Sequence, residues 1–228
     1  MIYLPDITLV IIDTVSPDLA RAALLDTLGQ ICPQAILTFT AERLLPGNMP
    51  NCEWLKTKAN SYNDVAECLW HEVPWRVKTS HYLVIQWDSW VLDGNLWNNE
   101  WLDYDYIGAP WSWHKDGLNV GNGGFSLRSR ALGRFVGETR DYVPKHPEDD
   151  TLCREYRRDL ESKGFIWALE ATAARFSFER TPAASTFGFH GAFNWPRVLT
   201  RERLASRIAI ASDYVKSKPE WQEMLAVV

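Results

Sequence analysis

The chain predicts an α/β fold: one domain on a mostly parallel central sheet, with a helical extension at its C-terminus. Three observations carry this. Ile7 to Ile12 is an unbroken apolar run closed by Asp13, the pattern of a strand buried on both faces. A helix signal and a second apolar run, Ala35 to Thr40, follow as in a β-α-β unit, which implies a right-handed crossover. With 46% hydrophobic and 23% charged residues in 228, the chain buries one sizeable core rather than remaining disordered.

The elements read in order as follows. Ser16-Pro17-Asp18 starts the first helix, with Ser as N-cap, Pro at the first turn and Asp favoured by the helix dipole. Leu19, Ala22, Ala23 and Leu25 form its expected apolar face. Ser61 with Asp64 resembles a capping box, and Val65, Cys68 and Leu69 carry a helical face on to Pro74. Tyr82 to Gln86 is the third strong strand. Tyr106 to Ala109 and Gly124 to Leu127 are weaker ones around a Trp- and Gly-rich loop. Ser129 caps a helix through Val136. Glu148 to Lys163 predicts a longer helix, with Leu152, Tyr156 and Leu160 at fourfold spacing and Gly164 at its end. Ile166-Trp167 and Phe176 to Phe178 read as short strands, and Arg201 to Lys216 as a last helix with Leu204, Ile208 and Ala211 on one face.

Composition excludes several classes of function. The net charge is −5 and no Lys/Arg-rich stretch marks a nucleic-acid groove. The four cysteines form no C-x-x-C pair and no zinc-like set, and read as reduced core thiols. The first residues lack the regions of a signal peptide, and no apolar run approaches the roughly 20 residues of a membrane span, so a cytoplasmic protein is expected. Twelve tryptophans are unusual, and six of them lie between Trp87 and Trp113. Such rings either fill a core or offer flat faces to sugars, with indole N–H groups free for hydroxyls.

Candidate site residues fall at chemically apt places. Asp13 and Asp88 close strands, and ligands of open α/β sheets bind outside the carboxyl ends of strands. A carboxylate there either holds Mg²⁺ or Mn²⁺, which neutralises a diphosphate, or simply forms a turn. Gly121-Asn122-Gly123-Gly124 either lets backbone approach a ligand or makes a tight hairpin. Glu148 and Asp149 are general-base candidates, or acids that stabilise a helix start. His190, set in Phe187-Gly188-Phe189-His190-Gly191, is placed to ligate metal or bond phosphate, or is structural.

The blocks HYLVIQWDSWVLDGNLWNNEWLDYDYIGAPW, VGNGGFSLRSR, HPEDDTLCREYRRDLESKG, RFSFE and FGFHGAFN resemble a little-characterised bacterial family, a domain of unknown function grouped with GT-A-fold glycosyltransferases. The resemblance runs from about Leu4 to Asn194. It implies a GT-A-like domain over residues 1–196, with residues 197–228 as a helical extension packed on it. It implies transfer of a sugar from a nucleoside-diphosphate sugar, with a UDP-sugar favoured, to a glycan or other hydroxyl acceptor in surface polysaccharide synthesis. On the family pattern Asp13, Thr14 and Gln86 lie near the nucleotide, and Asp88 is the last acid of D-x-D. Asn122, Gly123 and Gly124 form the glycine loop, Asp149 (with Glu148 beside it) is the base of an inverting transfer, and His190 is the late metal-binding histidine. Trp111 and Trp113 would shape the acceptor side. Two departures stand out. Gln86 replaces the first acid of D-x-D, so a Mn²⁺ or Mg²⁺ ion is left to Asp88 and His190, or is absent. Ser89 stands where the family has Gly. The rival readings are a non-catalytic nucleotide-sugar binder and a metal-dependent hydrolase.

Overall fold

The computed structural model describes residues 1–57, 61–181 and 185–227. Its first half runs β1 (Ile2–Asp13), α1 (Pro17–Gln30), β2 (Ile31–Thr40), β3 (Cys52–Lys56), α2 (Tyr62–His71), α3 (Val73–Arg76) and β4 (His81–Ile85). Then come β5 (Trp90–Val91), β6 (Tyr106–Ile107), β7 (Phe125–Ser129), α4 (Arg130–Glu138), α5 (Glu148–Asp150) and α6 (Arg157–Ser162). The chain closes with α7 (Glu170–Phe176), β8 (Ser177–Phe178), β9 (Gly188–Phe189), α8 (Trp195–Val198), α9 (Arg201–Ile210), α10 (Asp213–Lys216) and α11 (Pro219–Leu225).

Six strands form the main sheet in the order β3-β2-β1-β4-β7-β6. Of these strands β7 alone runs against its neighbours, so the predicted mostly parallel α/β sheet stands. Because side chains alternate along a strand, the apolar run of β1 feeds two cores. Leu9 and Ile11 pack with Ala20 and Leu24 of α1, while Val10 and Ile12 pack with Leu69 of α2 and Leu132 of α4. Sandwiching the sheet in this way leaves only the strand ends open for a ligand.

Several elements differ from the sequence reading. The apolar face of α1 is Leu19, Ala20, Ala23, Leu24 and Thr27, and Leu25 is exposed. Ser16 stands at the N-cap but makes no cap bond; the Oδ1 of Asp13 accepts the Val15 and Ser16 N–H groups instead. The capping box read at Ser61 and the cap read at Ser129 are present. The long helix over Glu148 to Lys163 is broken by a π-helical turn at Thr151–Glu155, where the Tyr156 N–H reaches back to the Thr151 carbonyl. The helix over Arg201 to Lys216 breaks at Ala211, since Ser212 caps a new helix. Ile166-Trp167 forms only a bridge from Trp167 to Tyr106. Cys68 and Cys153 are buried thiols, whereas Cys52 is half-buried and Cys32 exposed.

A second, small sheet, β5-β9-β8, lies at the carboxyl end of the main one. Behind it a third core joins Leu19 and Ala23 of α1, Trp90, Phe189 and Trp195 to Leu204, Val215, Trp221 and Met224 of the C-terminal helices. Arg207 fastens this layer: its guanidinium is buried, bonded to Asp26 and stacked over Trp90. Among the described residues no helix is long and apolar enough to cross a membrane.

Candidate active site

A cavity of about 380 Å³ opens at the carboxyl ends of β1 and β4, and the C-terminal helices form its outer wall. Asp13 and Thr14 enter from the end of β1, and Gln86, Trp87 and Asp88 from the end of β4. These strands are hydrogen-bonded neighbours in parallel register, Ile11 opposite Ile85, so their terminal carboxylates emerge side by side. His190 and Gly191 follow β9, and Glu179 follows β8. Five sequence-predicted residues, Asp13, Thr14, Gln86, Asp88 and His190, therefore meet in one cavity.

His190 is the centre of its charge pattern. Its Nε2 is 3.5 Å from Asp88 Oδ1, and its Nδ1 is 3.1 Å from Glu179 Oε1. Burial works to discharge the imidazole, but the Asp88 and Glu179 carboxylates outweigh it and hold the ring protonated well above its ordinary range. Asp13 moves the other way. Burial, against the pull of the Ser16 and Val15 N–H groups and helped by the charge of Asp88, pushes its carboxyl up to about 6.

The glycine loop supports the histidine from behind. Asn122 sits at φ 67, a left-handed conformation that Asn tolerates, and its Oδ1 accepts the Phe125 N–H at 3.2 Å. Its Nδ2 lies 3.0 Å from His190 Nδ1. A Cβ on Gly124 would stand 2.1 Å from His190 Nε2, so only glycine lets the imidazole lie on this backbone. Ser89, the departure from the family pattern, ties the two motifs together. The Gln86 N–H donates to its Oγ at 2.8 Å, and its hydroxyl donates to the Gly124 carbonyl at 2.6 Å.

The two acids of Pro147-Glu148-Asp149 part company. Glu148, the first of the two base candidates, is buried: Arg128 binds both its oxygens, at 2.7 and 3.0 Å, and the Trp70 indole N–H donates at 2.6 Å. Asp149 does not line the cavity but abuts the glycine loop, its Oδ2 accepting the Gly123 N–H at 2.8 Å. Burial raises its carboxyl above the usual range despite that bond. The expected pair of acceptor rings likewise divides. Trp111 is buried flat against Gly121, where an added Cβ would lie 2.0 Å from its ring, while Trp113 is 52% exposed.

A divalent ion fits this site only in part. Asp88 Oδ1 is a buried carboxylate oxygen with no hydrogen bond, and the Glu179 contact to Nδ1 turns Nε2 of His190 towards it, as a carboxylate behind a metal-binding histidine does. Among the described residues, no cluster of three or more His, Cys, Asp or Glu could hold a metal ion. Asp88 and His190 are thus the ligands the protein would offer, with phosphate oxygens left to complete the shell. Sequence reasoning missed Glu179, Arg180, Tyr62 and Lys218. Glu179 closes the RFSFE block, so its signal was present without a role.

A family described as "Protein of unknown function (DUF5672)" matches residues 52–190. No curated protein matches the chain. Among solved structures, that of the galactosyltransferase LgtC in complex with donor and acceptor sugar analogs is similar at 13% identity and a TM-score of 0.48, over 95% of this chain and 99% of that one. A likeness at that level carries no residue role across.

Proposed function

We propose that this chain, which belongs to the DUF5672 family, is a glycosyltransferase that moves a sugar from a nucleoside-diphosphate donor, a UDP-sugar for preference, to a hydroxyl acceptor. The observation that carries the reading is the meeting of Asp13, Asp88 and His190 in one cavity at the ends of two parallel strands. A nucleotide needs little more: an edge of backbone and polar groups for the nucleoside, and a charge-neutralising centre for the phosphates. Asp13, Thr14 and Gln86 serve the nucleoside side of the cavity. Asp88 and His190, once the imidazole has given up its proton, would hold Mn²⁺ or Mg²⁺, and such an ion would draw off negative charge from the departing diphosphate.

Asp149 is assigned as the base of an inverting transfer. Its raised pKa brings it nearer to accepting a hydroxyl proton at neutral pH, and the Gly123 N–H fixes its direction. Trp113 presents the acceptor-side ring, carried on the loop between Pro110 and Val120, which pair across its neck.

The test is donor binding read by thermal shift across a panel of nucleotide sugars, with Mn²⁺ and with EDTA, because a ligand of the folded state raises stability by mass action. Asp88→Asn should weaken binding in Mn²⁺ and change little in EDTA. Equal loss in both conditions would remove the metal role, and no shift with any nucleotide sugar would remove the donor cavity.

A further inference from the structure

The cavity is short of free positive charge. Four carboxylates line it (those of Asp13, Asp88, Glu179 and Glu220) against Arg180, Lys218 and the histidines His146 and His190. A diphosphate entering beside those acids is repelled unless a cation meets it. Both ring nitrogens of His190 are already engaged, Nε2 at 3.5 Å from Asp88 Oδ1 and Nδ1 at 3.1 Å from Glu179 Oε1. Arg180 is engaged as well, with both Glu223 oxygens 2.7 Å from its Nη1 and Phe193 beneath its guanidinium.

Lys218 differs. Among the described residues Lys218 takes part in no ion pair with a carboxylate; its ammonium group rests 4.0 Å from the Tyr214 ring centre and 5.0 Å from that of Tyr62, with both tyrosine hydroxyls beside it. Aromatic faces hold a cation without neutralising it. Tyr62, the first residue of α2, is also stacked on His146 at 4.3 Å, so its ring is fixed at the cavity mouth. Lys218 stands just ahead of Pro219, at the N-cap of α11, and its long stem lets the ammonium move while its backbone stays in the C-terminal layer.

We propose that Lys218 is the diphosphate-binding cation of this cavity, delivered by the C-terminal helices and parked on Tyr62 and Tyr214 until an anion takes it. This rests on the nucleotide-donor reading and makes residues 213–225 part of the binding site rather than a mere extension. The C-terminal layer then contributes to recognition of any nucleoside diphosphate, whatever its base.

Isothermal titration of the full chain with UDP, inorganic pyrophosphate and uridine, all in Mn²⁺, decides it. Lys218→Met keeps the stem and removes the charge, Lys218→Arg keeps the charge, and melting curves confirm that both fold. Losing one charge-assisted contact should weaken UDP and pyrophosphate about 10- to 100-fold in Lys218→Met, leave uridine unchanged, and be largely restored in Lys218→Arg. Lys218→Met binding UDP and pyrophosphate as wild type does, while Asp88→Asn weakens both, overturns the lysine assignment and leaves the donor cavity standing. An equal loss for uridine also overturns it, since the contact would not be to phosphate. A wild-type chain that binds none of the three probes overturns the donor reading and this inference together.

Discussion

Replacing Glu148 by Gln tests whether that residue belongs to the scaffold or to the chemistry. Arg128 and Glu148 are 2% and 8% exposed, joined by two bonds, with Trp70 on the same carboxylate and the Tyr106 ring 5.1 Å from the guanidinium. Glu148→Gln keeps shape and some hydrogen bonding but strands the guanidinium charge in the interior. Breaking a buried pair from one side costs about 3–5 kcal/mol, and at roughly 2–4 °C per kcal/mol for a chain of this size the melting temperature should fall by about 6–20 °C. Arg128→Met alone should cost a similar amount. The double variant should recover part of the loss, because no uncompensated charge remains. Calorimetric melting of the four proteins gives the cycle, and turnover measured well below each melting point separates folding from catalysis. A Glu148→Gln protein that melts like wild type yet loses transfer activity 100-fold would refute the reasoning and return Glu148 to the reaction.

Three further outcomes follow from the same geometry. Asp13 titrates near 6 when folded against 3.8 for a free carboxyl, so the folded chain holds that proton more tightly; the resulting stability is full below about pH 4 and lost as pH rises through 6. Asp13→Asn should therefore raise the melting temperature at about pH 7.5, by the equivalent of on the order of 2–3 kcal/mol, and not at about pH 4; an equal effect at both would contradict the shift. Trp111→Ala should destabilise by about 3–5 kcal/mol, as removal of a buried ring does, while Trp113→Ala should leave melting unchanged and raise the acceptor KM. Asp149→Asn should cut turnover by about 10²–10⁴-fold with donor affinity retained, and near-normal turnover would count against an inverting base at this position.

Much of the fold could be read from residues because the physics there is local. The apolar runs of β1, β2 and β4 are long enough to specify buried parallel strands, and an acid closing such a run points to the ligand end of a sheet. Asp13 and Asp88 meet for that reason. What escaped was short or non-local. β3 is a five-residue strand at the sheet edge with no fully buried residue, and β5 and β9 have two residues each, too few for periodicity to show. The two expected long helices broke where an i→i+5 bond or a new Ser cap won over continuing helical periodicity.

The sharpest limit is the pair Glu148 and Asp149. As residues they send one signal, two acids at a helix start that suit the dipole and suit proton transfer equally. Their fates are set by partners far along the chain. Trp70, 78 residues away, and Arg128, 20 residues away, take Glu148 into the interior, and the Gly123 N–H, 26 residues away, takes Asp149 to the loop beneath His190. Successive helical side chains point about 100° apart, so once Arg128 fixes one acid inward the next must turn elsewhere. The same holds for Lys218 and Tyr62, which no spacing rule brings together. A motif can name the residue types a reaction needs. Which of two like neighbours serves it is settled by the buried charge that only one of them can neutralise.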